Sequence, residues 1–291
     1  MDMAATTSES AISFADHDIP VANLSTISLA KLRAQDPAER AHLVQATSQR
    51  GIFLLDLRGD AEGERVLAHL PDVFAVEEKY FSQSAEAKAE DIRHDIRASQ
   101  DLGWKALKGG ESFEISRDEL VSRDTKTTTT IPCPPKLFRD QWEKISAFST
   151  GCDEACMMLL NSLSADVVVK HHRADQPSDT GLKMVLLPSL ASPPDPEGGV
   201  HTDGGSITLL FHHDLSIRAF LQDANGWAFA APTEGCALVN VADSLQRLSS
   251  GKFLSPKHGV AQPFGGVKNR YYLSYFLRPE TALLEQWSET N

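Results

Sequence analysis

The chain has few cysteines, no long apolar run and no signal-like beginning. Its four cysteines contain no C-x-x-C pair, and they are too few for the disulfide scaffold of a small secreted protein. No run of 18 apolar residues occurs, which excludes a membrane-spanning helix and leaves no reason to expect a membrane partner. Residues 1–13 lack the charged-then-apolar pattern of a secretory signal. A cytoplasmic location is therefore expected.

The chain also has fewer basic than acidic residues. The chain has 28 lysines and arginines against 40 aspartates and glutamates, which gives a formal net charge of -12. This balance argues against a nucleic-acid partner, which would need a basic stripe on the surface. The 41% hydrophobic and 23% charged residues are ordinary for a globular protein. The composition carries no signal for an oligomeric state.

Helical and strand patterns divide the chain into two parts. Helical periodicity dominates residues 1 to about 180, and short apolar runs separated by turn residues fill the part from about 181 to 280. Such strands predict a sandwich or barrel rather than a parallel sheet. We expect a single domain over residues 1–291. The strands predicted for the second part are 182–187, 206–212, 217–222, 227–230, 237–241, 259–261 and 271–277.

Local patterns in the first part predict several helices. Residues 60–84 have helical spacing with a break at Pro71, and residues 85–96 are typical of an exposed, charged helix. Residues 116–130 are polar and predict a loop that could serve as a lid, whereas residues 134–166 predict one long helix. The strands predicted in this part are 19–21, 51–56 and a hairpin within 102–115.

A candidate metal site is centred on His201, Asp203 and His258. His201 and Asp203 are two residues apart, so on an extended strand their side chains leave the same face. Two imidazoles and one carboxylate can occupy one face of a metal octahedron, which is the arrangement of non-haem Fe(II) oxygenases. Gly204 and Gly205 would allow the tight turn of a ligand-bearing loop. Arg270, which follows on a later strand, is suited to pairing with a carboxylate.

Several segments resemble one enzyme family in the same order and spacing. Four segments resemble motifs of the 2-oxoglutarate/Fe(II) dioxygenases related to isopenicillin N synthase. Residues 201–210 resemble H-T-D-x-G-x-L-T-L-L, and residues 226–232 resemble G-x-W-x-x-V-x-P. Residues 235–246 resemble G-A-L-V-V-N-x-G-D-x-L-Q, and residues 250–260 resemble N-G-x-Y-K-S-x-x-H-R-V. Residues 19–21, 51–53 and 74–79 resemble its upstream motifs. The resemblance therefore covers nearly the whole chain.

The resemblance implies a fold, a metal and a cosubstrate. The fold would be mainly β with flanking helices, built on a double-stranded β-helix of the jelly-roll type. His201, Asp203 and His258 would bind Fe(II), which would take 2-oxoglutarate and O2 and release succinate and CO2. The enzyme would hydroxylate, desaturate or oxidatively cyclise a small-molecule substrate in secondary metabolism.

The chain departs from the family around the cosubstrate. The family's R-x-S reads Arg270-Tyr271-Tyr272 here, and Tyr272 or Ser274, on the same strand face as Arg270, could replace the missing hydroxyl. On an earlier strand the family has a polar pair that this chain lacks, but Lys183 shares the face of that pair. Lys183 could hold a carboxylate of cosubstrate or substrate, or it could be a surface lysine.

These departures leave alternatives open. The substrate could supply all electrons without 2-oxoglutarate, as in isopenicillin N synthase. The chain could also be a non-catalytic binding protein, or a redox-neutral metal enzyme with the same three ligands. Phe211 and Arg218 are candidate substrate-binding residues, with plain core packing as the alternative for Phe211. The run 212–214 and the pair 171–172 are histidine-containing and are expected in turns or on the surface rather than at a metal.

Overall fold

Two sheets face each other across the interior of the molecule. The computed structural model describes residues 11–14, 17–97, 100–124, 133–163, 169–192, 199–221 and 226–289. The strands are β1 (Ala11–Phe14), β2 (His17–Pro20), β3 (Thr26–Ser28), β4 (Ile52–Asp56), β5 (Gly103–Leu107), β6 (Gly110–Ser116), β7 (Gly181–Leu187), β8 (Ile207–His212), β9 (Ile217–Leu221), β10 (Gly226–Ala230), β11 (Cys236–Val241), β12 (His258–Val260) and β13 (Arg270–Leu277). The helices are α1 (Leu29–Arg33), α2 (Pro37–Gln49), α3 (Ala61–Phe81), α4 (Ala85–Ala89), α5 (Arg117–Asp124), α6 (Lys136–Arg139), α7 (Trp142–Ser162), α8 (Asp243–Leu248) and α9 (Thr281–Glu289).

The larger of these two sheets has the strand order β3-β4-β11-β8-β13-β7-β6-β5, and the smaller one β10-β9-β12, while β1 and β2 pair separately. Each neighbouring pair is antiparallel except β3 and β4. The seven strands predicted for the second part are all present, each within one residue of its predicted ends. A mainly β fold with flanking helices is therefore confirmed, and its non-sequential strand order is that of a double-stranded β-helix.

The boundary near residue 180 is less sharp than predicted. The first part does hold most of the helices, but β3 to β6 also come from it and form half of the larger sheet. β3, β4 and the hairpin of β5 and β6 extend the sheet at both edges. The single-domain organisation stays a prediction, favoured by this shared sheet.

The two faces of the larger sheet bury different side chains. Leu273, Tyr275 and Leu277 of β13 pack into the main core, which the sheet forms with α3 and α7. The alternate residue Tyr272 packs against a second, smaller core between the two sheets, together with Leu210 of β8. Strand parity therefore decides whether a side chain faces the helices or the interior that holds the candidate site.

Three helix predictions were wrong in detail. α3 continues through Pro71, because a long amphipathic helix buries residues on both sides of it and offsets the one hydrogen bond that proline removes. α4 ends at Ala89, since the following backbone pairs with β5 at Ile92 and Gly103. The long helix predicted from 134 is two helices, α6 and α7, separated at Asp140 and Gln141.

The predicted loop over 116–130 begins with a helix instead. Ser116 and Glu119 form a reciprocal cap at the start of α5. The Glu119 amide donates to Ser116 Oγ at 3.2 Å, and the Ser116 amide donates to Glu119 Oε2 at 3.0 Å. Residues 125–130 lie outside the described residues. Within the described part of the chain, no helix is both long and apolar enough to cross a membrane.

Candidate metal centre

His201, Asp203 and His258 meet at one point of the interior. Their ligand atoms all lie within 4.8 Å of one another. The Nε2 atoms of His201 and His258 are each 3.6 Å from Asp203 Oδ1. The structure thus brings together three side chains that are separated by up to 57 positions in the sequence.

Backbone pairing between the loop that holds His201 and the start of β12 positions the histidines. His201 and His258 form an isolated antiparallel bridge, in which each amide donates to the other's carbonyl at 2.9 Å. Asp203 lies in the following turn, where its carbonyl accepts the Asp243 amide at the start of α8 at 2.8 Å. Gly205 continues this turn, and a Cβ there would lie 2.8 Å from the Leu277 carbonyl oxygen. Residues 201–203 thus form a bridge followed by the tight turn that Gly204 and Gly205 were expected to allow.

The donor set fits an iron centre because the other polar atom of each side chain already has a partner. His201 Nδ1 lies 2.8 Å from the Gly199 carbonyl oxygen, and His258 Nδ1 lies 3.2 Å from that of Pro256. Thr208 donates to Asp203 Oδ2 at 2.7 Å. Such contacts orient metal ligands and select the free ring nitrogen. Two Nε2 atoms and one carboxylate oxygen remain, which suits Fe(II).

Burial and mutual attraction set the charges of the three groups. Burial opposes ionisation of Asp203, but the neighbouring histidines and Thr208 outweigh it, so the pKa of Asp203 is lowered. The carboxylate raises the pKa of His201, whose side chain is 53% exposed. Burial instead lowers the pKa of His258, which is 5% exposed. An anionic carboxylate and a neutral imidazole are the forms that bind metals.

Comparisons with known proteins agree with this geometry. Residues 171–279 match the family model of the 2OG-Fe(II) oxygenase superfamily. The matched stretch contains all three candidate ligands and resembles a domain of this superfamily.

The relatives of this chain include fungal proteins. It is 29% identical over 278 residues to a 2-oxoglutarate-dependent dioxygenase of Gibberella zeae, covering 90% of this chain and 81% of the relative. It is also 29% identical over 283 residues to a 2-oxoglutarate-dependent dioxygenase of a Dothideomycetidae species, covering 90% and 84%. A full-length Neurospora crassa protein, solved in complex with alpha-KG and 5-formyluracil, superposes with a TM-score of 0.69 at 21% identity, covering 93% of this chain and 88% of that one.

Lys183 and Ser274 lie next to each other on the inner face, at the metal end. They are direct cross-strand neighbours, and Glu114 of β6 pairs with Lys183 on the other side. Lys183 Nζ is 2.7 Å from Asp101 Oδ2, so its charge is already paired. Although burial opposes it, hydrogen bonds from Lys105 and Lys183 lower the pKa of Asp101 to about 2. Lys183 therefore faces inward but holds a carboxylate of the protein itself.

Arg270 and Tyr272 lie further along the same face of β13. Arg270 is four residues before Ser274, which places it about 13 Å from Ser274 along an extended strand. Its Nη1 donates to the Ala261 carbonyl oxygen, and its Nε has no hydrogen-bond partner within the described residues. Burial lowers its pKa, whereas Asp214 opposes this. Burial and the charges of Glu77 and Asp203 raise the pKa of Tyr272.

Phe211 and Arg218, the candidate substrate-binding residues, both point away from the inner core, and for Phe211 this is the core packing expected as the alternative. Phe211 lies on the helix side of β8, where its ring centre is 5.3 Å from that of Phe148. Arg218 alternates along β9 with residues of the inner core, so it lies on the opposite face of the strand, where it is buried with its guanidinium 5.0 Å from the Trp227 ring. Strand parity is the reason in both cases, because adjacent residues on a strand point to opposite faces.

Sequence reasoning missed Thr208, which holds Asp203. The signal was present, since Thr208 is five residues after Asp203 in the strand that follows the ligand turn. A threonine on the inner face of an otherwise apolar strand is a candidate hydrogen-bond donor to a ligand.

A cavity of about 680 Å³ adjoins the metal centre. Its walls come from the ligand turn, β6, α8 and α9, and include Gly204, Glu114, Asp243, Arg278 and Trp287. Thr202, beside the two ligands, donates to Asp243 Oδ2 at 2.9 Å, which links the cavity wall to the site. None of the three candidate ligands lines this cavity directly.

Proposed function

We propose that this chain is an Fe(II)- and 2-oxoglutarate-dependent oxygenase that oxidises a small molecule by hydroxylation, desaturation or oxidative cyclisation. The observation that carries the proposal is the set of three ligand atoms that face one point while the remaining polar atom of each side chain is already engaged. The names of the two fungal relatives, both 2-oxoglutarate-dependent dioxygenases, support the cosubstrate.

His201, Asp203 and His258 would hold the iron. With iron bound, the centre supplies O2-dependent oxidation of the substrate coupled to decarboxylation of 2-oxoglutarate to succinate and CO2. The protein's own contribution is to orient the ligands, to exclude water and to hold the cosubstrate in place.

Arg270 would bind the distal carboxylate of 2-oxoglutarate, with Tyr272 and Ser274 as further polar groups on the same strand face. Arg270 is largely buried, with 17% of its side chain exposed, and its nearest carboxylate oxygen, Asp214 Oδ2, is 3.9 Å away. A cation that is taken from water without a close partner is costly, so a bound anion stabilises it. A guanidinium also matches the planar geometry of a carboxylate.

The substrate would approach through the cavity beside the ligand turn. Charged and polar side chains form much of its wall, which favours a polar small molecule over a lipid. A role in secondary metabolism rests on the resemblance to biosynthetic oxygenases. The excess of acidic residues argues against nucleic acid as a partner. The cytoplasmic location stays a prediction.

Equilibrium dialysis under anaerobic conditions tests the proposal. The wild-type protein should retain about one Fe(II) per chain, and retain 2-oxoglutarate only when iron is present. His201→Ala and His258→Ala should each lose the iron while keeping the same thermal unfolding temperature within a few degrees. Retention of iron by both variants would contradict the ligand assignment. Iron binding without 2-oxoglutarate binding would instead indicate an oxidase of the isopenicillin N synthase type.

A further inference from the structure

His212 faces the interior at the end where Arg270 lies. It is the last residue of β8 and the direct cross-strand neighbour of Tyr272. Its side chain shares the inner face with Leu210, whereas that of His213 points the other way and packs its ring 4.2 Å from the Phe74 ring. His212 is thus the partly exposed last residue of a strand, and His213 lies exposed in the turn that follows.

The imidazole of His212 is oriented by one contact. Its Nδ1 lies 2.8 Å from the Asp214 carbonyl oxygen, which can only accept, so Nδ1 carries a hydrogen. Within the described residues, no other group is hydrogen-bonded to the ring. Nε2 is therefore the atom available to a ligand.

Arg270 lies close enough to His212 for both side chains to contact one ligand. Tyr272 is opposite His212, and Arg270 is two residues from Tyr272 on the same face, which makes Arg270 a diagonal neighbour of His212. Diagonal pairs of long side chains on one sheet face can contact a common partner. Both side chains also lie next to the turn residue Asp214. His212 Nδ1 donates to its carbonyl oxygen, and Arg270 Nε lies 3.9 Å from its Oδ2 atom. That carboxylate is 60% exposed, so its ion pair with Arg270 is weak.

We propose that His212 is a second anion-binding residue, which donates from Nε2 to the same cosubstrate carboxylate that Arg270 binds. This rests on the proposed function and extends it. The histidine would supply the donor that the serine of R-x-S supplies in the resembled family. Because Nδ1 already carries a hydrogen, donation from Nε2 requires the imidazolium form.

This requirement gives the proposal a pH signature. Burial lowers the pKa of His212. The titratable or charged groups around it are His213 and Asp214, which follow it in the chain, and Arg270 and Tyr272 of β13. The ring is therefore neutral at neutral pH without a ligand, and an arriving carboxylate favours its protonation. Binding of 2-oxoglutarate should take up a proton and should strengthen as the pH falls.

A comparison of two cosubstrate-like probes isolates the contribution of the Arg270 end of the site. Pyruvate shares the keto acid group of 2-oxoglutarate but lacks the distal carboxylate, so the ratio of its Kd to that of 2-oxoglutarate cancels effects at the metal. Both Kd values would be measured by anaerobic calorimetry on the Fe(II)-loaded protein at about pH 6 and about pH 8. The wild-type ratio should increase several-fold at the lower pH.

Variants at position 212 complete the test. His212→Leu should lower the Kd ratio by about ten- to a hundredfold at the lower pH, the usual range for a hydrogen bond to a charged group. His212→Gln, which donates at any pH, should recover part of the affinity and abolish the pH dependence. His213→Gln is the matched control and should behave as wild type. An unchanged ratio in both His212 variants, or a wild-type ratio independent of pH, would overturn the inference. A wild type that binds neither probe would overturn the proposed function itself.

Discussion

The two ends of the interior differ in how completely their polar groups are satisfied. At the metal end, each candidate ligand has its second polar atom engaged by Gly199, Thr208 or Pro256. At the other end, Arg270 Nε has no partner within the described residues, and one contact holds His212. The protein's own hydrogen bonds therefore hold the ligands at the metal end, whereas the Arg270 end has polar atoms to which the proposed anion would bind. The predictions below separate these two properties.

The largest effect is expected from Asp203→Asn. The amide keeps the shape of the side chain and can still accept from Thr208, but it removes the negative charge at the metal. Loss of a contact outside the ligand set typically costs ten- to a hundredfold in metal affinity, so loss of a ligand should cost more than about a hundredfold. Anaerobic Fe(II) titration measures this. Near wild-type affinity in the variant would show that Asp203 is not a ligand.

Arg270→Met should act at the other end only. It should weaken 2-oxoglutarate binding by about a hundredfold and leave pyruvate binding unchanged, since a paired guanidinium contributes about 3 kcal/mol. Removal of a poorly paired buried cation should also leave the ligand-free protein equally stable or more stable. Calorimetry and urea unfolding check the two parts. Equal losses for both keto acids would indicate damage to the metal end instead.

Thr208→Val should weaken iron binding by about tenfold, because it removes the hydrogen bond that orients Asp203 while conserving shape. Thr202→Val is the matched control, since Thr202 donates to Asp243 rather than to a ligand. The comparison of the two Fe(II) affinities is the measurement. Equal affinities for both variants would mean that orientation of Asp203 does not depend on Thr208.

The smallest effect concerns Glu77, a buried carboxyl behind the Arg270 end. Its Oε1 accepts the Val185 amide at 2.8 Å, and burial raises its pKa. A raised pKa means that the folded state binds the proton more tightly, so stability declines as the pH rises above the unfolded value of about 4.3. Glu77→Gln should therefore raise the free energy of unfolding at about pH 8 by on the order of 1 kcal/mol.

Glu77→Ala is the contrasting variant. It removes the acceptor of a buried amide and should destabilise the protein by about 1–3 kcal/mol at all pH values. Urea unfolding of both variants at about pH 5 and about pH 8 makes the comparison. Stability of Glu77→Gln below that of wild type at the higher pH would contradict the raised pKa of Glu77.

The metal end was predictable because its signal is local. His201 and Asp203 lie two residues apart, and the segments around them and around His258 match family motifs, so their meeting followed from the resemblance. The strands of the second part were predictable for a related reason, since short apolar runs with turn residues between them mark strand ends directly.

The Arg270 end was less predictable because it depends on strand parity and on partners from distant segments. Phe211 and His212 are adjacent on β8 and therefore point to opposite faces of the sheet. Phe211 packs on α7, whereas His212 faces the interior. The sequence left open whether Lys183 faces inward or lies on the surface, because its pairing with Asp101 joins residues 82 positions apart and has no sequence signal. Pro71 shows the same limit for helices, because tertiary packing outweighs a local breaker.

Anaerobic absorption spectroscopy tests whether Fe(II) and 2-oxoglutarate bind together at this centre. Fe(II) is added to the protein first and 2-oxoglutarate second, and the visible spectrum is followed after each addition. The account predicts a metal-to-ligand charge-transfer band that requires both additions, is lost in Asp203→Asn and needs more 2-oxoglutarate in Arg270→Met. A wild-type protein that binds Fe(II) but shows no such band at saturating 2-oxoglutarate would contradict it.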